Sequence, residues 1–180
     1  MSVKLRFCTS SEEATLSFGR AMGAALTPGM TVLLSGGLGA GKTVLVRGVG
    51  EALGFTRVRS PSFVLVNEYS TSEFLLVHAD LYRLEPEAVD DLGLEDYLDD
   101  RCVLFVEWPE RWRASPKNNV LKIVIEASNE NDRFFELLSA GEKANTTLCA
   151  VISFLRDSHQ AKSFTEFFSS PSPIFDADPQ

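Results

Sequence analysis

The chain has little cysteine, an excess of acid over base, and no long apolar run. Its three cysteines, Cys8, Cys102 and Cys149, stand far apart with no Cys-x-x-Cys pair. That argues against structural zinc and fits a reducing compartment. Cys102 and Cys149 sit in apolar surroundings and read as core residues. Lysine and arginine number 17 against 25 aspartates and glutamates, for a net charge of −8. A chain so acidic is a poor general binder of nucleic acid, whose phosphates need basic neutralisation; the close pair Arg57 and Arg59 is the local exception. No apolar stretch approaches membrane-spanning length. Glu12 and Glu13 arrive before any leader-like apolar segment. The reading is a cytoplasmic protein with no membrane partner. A length of 180 residues that are 44% hydrophobic, with both charge signs present, suits one globular domain with a sizeable core.

The most informative segment is the glycine-rich run from Ser35 to Thr43. It contains Gly36-xxxx-Gly41-Lys42-Thr43, the Walker A pattern for nucleotide phosphates. The apolar run Met30 to Leu34 before it reads as a buried strand, and Val44 to Leu53 after it as a helix. Such a loop, Gly36, Gly37, Leu38, Gly39, Ala40 and Gly41, turns successive backbone N–H groups into one concavity. The helix behind it, opening at Val44, adds a partial positive charge that favours phosphate. Lys42 would bridge the β- and γ-phosphates, and the Thr43 hydroxyl would ligate magnesium. A Rossmann dinucleotide site fails on two counts. Counted from Gly37, its third glycine would fall on Lys42, and Phe55 to Arg59 holds no acid where the ribose would need one.

The remaining elements follow from periodicity. Val3 to Phe7 reads as a strand. Ser10 with Glu13 forms an expected capping box, starting a helix with Ala14, Phe18, Ala21 and Ala25 on one face. Ser60-Pro61-Ser62-Phe63 reads as a loop entering a strand from Val64 to Tyr69, joined by a short turn to Phe74 to Ala79 as an antiparallel hairpin. A helix near Pro86 to Leu92 precedes the apolar strand Cys102 to Val106. Val120 to Ala127 and Phe134 to Ser139 form a late strand pair, and Glu142 to Arg156 a helix. Residues 1–157 make one domain; 158–180, rich in Ser, Pro and Phe, read as a disordered tail. The fold class is α/β, three-layered, of the P-loop NTPase kind, with a mixed, mostly parallel central sheet.

A Walker loop needs a carboxylate elsewhere to hold its metal, commonly at the end of a buried strand. Val103 to Val106 runs into Glu107, and Leu75 to Ala79 runs into Asp80. One acid would ligate magnesium and the other orient the attacking water, with Glu107 nearer the metal and Asp80 nearer the γ-phosphate. His78 leaves its strand on the same side as Asp80, either to position the site or as a satisfied structural histidine. Trp108 is a core anchor or a stacking surface. Ser60 and Ser62 lie where nucleotide switches keep a γ-phosphate-sensing loop. No Asn-Lys-x-Asp run supports guanine, so adenine is the default base.

The strings GGLGAGKT, SPSF-x-LVNEY, HADLYRL and VEWPER, in this order and spacing, resemble the TsaE (YjeE) family from about Ser10 to Glu126. The resemblance implies a small magnesium-dependent P-loop ATPase, weak alone, required for threonylcarbamoyladenosine modification of tRNA at the adenosine next to the anticodon. It would act with a TsaD-type transferase and a TsaB-type companion, meet tRNA through that complex, and not transfer the carbamoyl group itself. Hydrolysis would reset the complex between rounds. Carried over by position, the phosphate site falls on Gly36 to Thr43, the switch on Ser60 to Ser62, the aspartate on Asp80, and the metal-binding glutamate on Glu107 beside Trp108. The site set is therefore Lys42, Asp80 and Glu107 for catalysis, Gly36 to Val44 with Ser60 and Trp108 for ATP, and Thr43, Glu107 and Asp80 for Mg2+. Gly37 stands where the family often has aspartate. A stand-alone small-molecule kinase and a nucleotide switch without hydrolysis are the competing readings.

Overall fold

The computed structural model describes residues 2–61, 63–157 and 165–166. Its elements run β1 (Lys4–Thr9), α1 (Glu12–Ala25), β2 (Met30–Ser35), α2 (Lys42–Ala52), β3 (Val66–Ser70), β4 (Leu75–Asp80), α3 (Pro86–Asp90), β5 (Cys102–Glu107), β6 (Val120–Ala127), β7 (Arg133–Ala140), α4 (Glu142–Asp157) and β8 (Thr165–Glu166). Single 3-10 turns stand at Leu94–Tyr97 and Pro109–Arg111. Of the segment 158–180, only β8 is described, and the tail expectation otherwise lies outside the described residues.

All strands join one sheet in the order β3-β4-β5-β2-β6-β7-β1-β8. The central strands β4, β5, β2 and β6 are mutually parallel. The margins are antiparallel: the hairpin β3–β4 on one side, and β6–β7, β7–β1 and β1–β8 on the other. Helices α1, α2 and α4 cover one face, packing Phe18, Met22, Leu45, Val49, Leu148 and Val151 on Val32, Leu34 and Phe105. The opposite face is covered more thinly, by Leu81, Val89 of the short α3, Leu94 and Trp112 against Val77, Leu104 and Val106.

Several boundaries moved from their expected places for local reasons. Ser11, not Ser10, caps α1: its hydroxyl accepts from the Ala14 N–H at 3.1 Å. Only the residue just before the first helical position can make that bond. The Ser10–Glu13 box therefore does not form, and Glu13 pairs with Arg20 at 2.7 Å instead. Strand β3 starts two residues later than expected, because Leu65 is left-handed (φ 69°) and its N–H bonds the Pro61 carbonyl at 2.6 Å. Phe63 and Val64 are left exposed at the tip of that turn. Cys102 is buried as expected, but Cys149 is exposed. Helix α4 buries Ala144, Leu148 and Val151, and 100° per residue carries position 149 away from that stripe.

Candidate nucleotide and metal site

The parallel strands deliver three chain ends to one edge of the sheet. In register, Asp80 lies beside Glu107, and Glu107 beside Leu34 of the Walker strand. Main-chain bonds stitch these ends together: Leu81 N–H to Glu107 O at 3.1 Å and Trp108 N–H to Leu34 O at 3.2 Å. This is the carboxyl edge, where open α/β sheets bind ligands.

The phosphate loop occupies the same edge. Gly36 has φ 145°, and a side chain there would press on the Ile125 carbonyl oxygen of β6. Gly41 has φ 107° and caps α2 without any side-chain bond, and no acid stands in the helix's first turn. The first N–H groups of α2 are thus uncapped by side chains, the arrangement that binds anions. The helix begins at Lys42, two residues before the expected Val44, so Lys42 and Thr43 project from its first turn. At Gly37 an added Cβ would meet nothing within 4 Å, so the position has room for a larger residue.

Lys42, Asp80 and Glu107 are 4%, 4% and 3% exposed, a concentration of buried charge that only mutual pairing or a ligand makes tolerable. The Lys42 ammonium donates to Gly36 O at 2.8 Å and Gly37 O at 3.0 Å, bracing its own loop. It also lies 4.2 Å from the centre of the Trp108 ring, a cation–π contact. Burial lowers its pKa from the ordinary lysine value, while Glu107, Asp80 and Glu110 pull the other way. The Thr43 hydroxyl donates to Glu107 Oε1 at 3.0 Å. Asp80 accepts from the Ser60 hydroxyl at 2.8 Å and, through its other oxygen, from the Tyr82 N–H at 3.1 Å. Leu38 to Val44, Ser60, Asp80, Tyr82, Glu107 and Trp108 line a cleft of about 300 Å³.

Thus the residues singled out in the sequence, apart from Ser62, meet at one cleft and its backing loop. Ser62 lies outside the described residues. Trp108, left open between core and stacking surface, is half-buried with its ring over Lys42 and 4.9 Å from that of Tyr82. Its left-handed backbone (φ 60°) ends β5. One contribution was missed: Tyr82 sits in the HADLYRL string, two residues past Asp80, and that spacing was the available signal. His78, left open between positioning the site and a satisfied structural histidine, bonds Glu107 Oε1 through Nε2 at 2.9 Å, a partner 29 residues away for which the sequence held no signal.

Among the described residues, no group of three or more His, Cys, Asp or Glu side chains could hold a metal by itself. A hydroxyl and carboxylates at a phosphate loop are nevertheless the hard oxygen donors that magnesium shares with nucleotide phosphates. The donor set fits that ion on those terms.

Comparison with known proteins identifies relatives of the whole domain. A family model described as "Threonylcarbamoyl adenosine biosynthesis protein TsaE" matches residues 9–135. A Nostoc sp. protein named "tRNA threonylcarbamoyladenosine biosynthesis protein TsaE" is 39% identical over 133 residues, covering 71% of this chain and 82% of its own. A Bacillus subtilis protein of the same name is 34% identical over 151 residues, covering 83% and 94%. The crystal structure of Bacillus subtilis YdiB superposes with a TM-score of 0.73 at 28% identity, over 86% of this chain and 97% of that one.

Proposed function

From membership of the TsaE family, to which this chain belongs, we propose that it is the magnesium-dependent ATPase of tRNA threonylcarbamoyladenosine biosynthesis. The role in that biosynthesis comes with the family; the chemistry within it is our reading. The observation that carries it is the convergence of Lys42, Thr43, Asp80 and Glu107 on the cleft at the N-terminus of α2. On this reading the uncapped amides of α2 hold the β- and γ-phosphates. Lys42 exchanges its loop carbonyls for phosphate oxygens. Thr43 and Glu107 hold Mg2+, which supplies neutralisation of the phosphate charge. Asp80, buried and oriented by Ser60 and the Tyr82 amide, positions the attacking water. Trp108 screens the ammonium from solvent, where its pull on phosphate would weaken.

The proposed partners are a TsaD-type transferase and a TsaB-type companion, with tRNA met through them. Activity without partners is weak, because no arginine is among the described residues that line the cleft. The proposed setting is cytoplasmic; no helix among the described residues is long and apolar enough to cross a membrane.

The experiment is phosphate release from Mg-ATP by the full chain, alone and with transferase and companion, alongside the yield of modified tRNA. Release should rise with the partners. Lys42→Ala and Glu107→Gln should each lower it by about 10²–10³-fold, the usual cost of one transition-state contact, and limit modification to a single round. Undiminished modification by a variant that binds ATP without turnover would favour the switch. ADP formed only alongside a phosphorylated small-molecule acceptor would favour the kinase.

A further inference from the structure

His78 is completely buried in β4, facing the same side of the sheet as Asp80 and Glu107. Its Nε2 lies 2.9 Å from Glu107 Oε1. Its Nδ1 is buried and meets no hydrogen-bond partner among the described residues. A proton on Nδ1 would be a buried donor with no acceptor, which is costly. The ring therefore carries its proton on Nε2 and donates it to the carboxylate.

Glu107 Oε1 thus accepts two bonds, from His78 and from Thr43, while Oε2 accepts none among the described residues. The two donors are not equivalent. Thr43 stands on the first turn of α2, behind the phosphate loop, and on the proposed reading its oxygen is committed to the metal. The His78 ring is held on β4 inside the sheet and has no other polar partner among the described residues. When the Thr43 contact is exchanged, the imidazole is what keeps the carboxylate from rotating.

Resting on the proposed metal site, we infer that His78 is a positioning residue: its Nε2–H fixes the rotamer of Glu107 so that Oε2 faces the cation held with the nucleotide. It touches neither nucleotide nor metal. Histidine suits the task at this depth because a flat, stiff ring donates one directed bond from a strand buried on both faces. A lysine or arginine there would bring a further charge into the core.

The test is Mn2+ affinity, read by electron paramagnetic resonance with the full chain and a non-hydrolysable ATP analogue. Five proteins are compared: the unaltered chain, His78→Leu, His78→Gln, Glu107→Ala and the double variant His78→Leu/Glu107→Ala. Loss of a partner that orients a metal ligand typically weakens metal binding about 10- to 100-fold, and His78→Leu should fall in that range. Analogue binding in EDTA should be unchanged. His78→Gln, with an amide N–H near the Nε2 position, should recover most of the affinity. In the Glu107→Ala background, His78→Leu should add nothing. An equal loss in that background, or a glutamine no better than leucine, would overturn the inference. Should the variants fail to fold, the unaltered chain still decides: a long-range ¹⁵N–¹H correlation must find the His78 proton on Nε2, and a proton on Nδ1 alone overturns the inference. If the unaltered chain binds no Mn2+ with the analogue, the metal reading fails, while the tautomer still decides whether His78 donates to Glu107.

Discussion

The two halves of the sheet are built differently, and only one of them holds the proposed site. In β4, β5 and β2, nearly every residue is buried, on both faces. In β6, β7 and β1, burial alternates, and one face shows Lys122, Val124 and Glu126 to solvent beside the Lys4–Glu136 and Arg6–Glu136 ion pairs. The connections explain most of the contrast, with β6, parallel to β2 but joined to β7 by a hairpin and open on one face, as the transition. Parallel neighbours need crossovers, and crossovers lay helices and loops over both faces; hairpins lay down nothing. A strand buried on both sides can end in a carboxylate shielded from water, as β4 and β5 do at Asp80 and Glu107. A carboxylate on the open face, such as Glu136, instead stands in partly screened pairs worth little. The half that is costlier to bury is the half that holds the proposed triphosphate site.

That comparison can be broken most directly by truncation. Leu104 is fully buried in β5. Leu104→Ala should cost about 2–5 kcal/mol, read as a fall in urea midpoint with the m-value unchanged. Val124→Thr on the open face of β6 should stay within about 0.5 kcal/mol. Equal costs would mean that the open face is covered after all.

A smaller effect sharpens the picture of how the parallel half is roofed. Helices α1 and α2 approach so closely that a methyl at Gly48 would fall inside the Leu16 carbonyl oxygen and 3.0 Å from Gly19 Cα. Backbone cannot yield as a side chain does, so Gly48→Ala should destabilise by about 1–3 kcal/mol. Because α2 carries Lys42, the same variant should also loosen nucleotide binding. Unchanged binding at reduced stability would show that the loop is held by the sheet alone.

The smallest expected effect is a pH dependence that again belongs to the parallel half. A hydrogen bond to Glu68 raises the Tyr97 phenol from 10.0 to about 12, and burial raises the Cys102 thiol from 9.0 to about 11. Both groups hold their protons more tightly folded than unfolded. Their stabilisation is complete below pH 9.0 and is lost as pH rises through those windows. Tyr97→Phe should flatten the part of that loss between pH 10.0 and about 12 in denaturant titrations. Lys42 acts in the opposite direction in both proteins and cancels from the difference. An unaltered slope would assign the loss elsewhere.

Local chemistry was legible in the chain because it is carried by neighbours in sequence. The phosphate loop, the strand before it and the helix after it follow from glycine spacing and apolar runs, and two strands running straight into an acid marked Asp80 and Glu107. Where reading failed locally, as at Ser11 and Leu65, it missed by one or two residues, because caps and turns are decided by a backbone angle. What the linear order does not hold is which distant groups become partners. Tertiary structure alone brings the Ser60 hydroxyl to Asp80, the Trp108 ring to Lys42, and the imidazole of His78 to Glu107. Those pairings arise because parallel strands align their ends in register. A hydrogen bond depends on position to a fraction of an ångström, and such positions exist only once the sheet has closed.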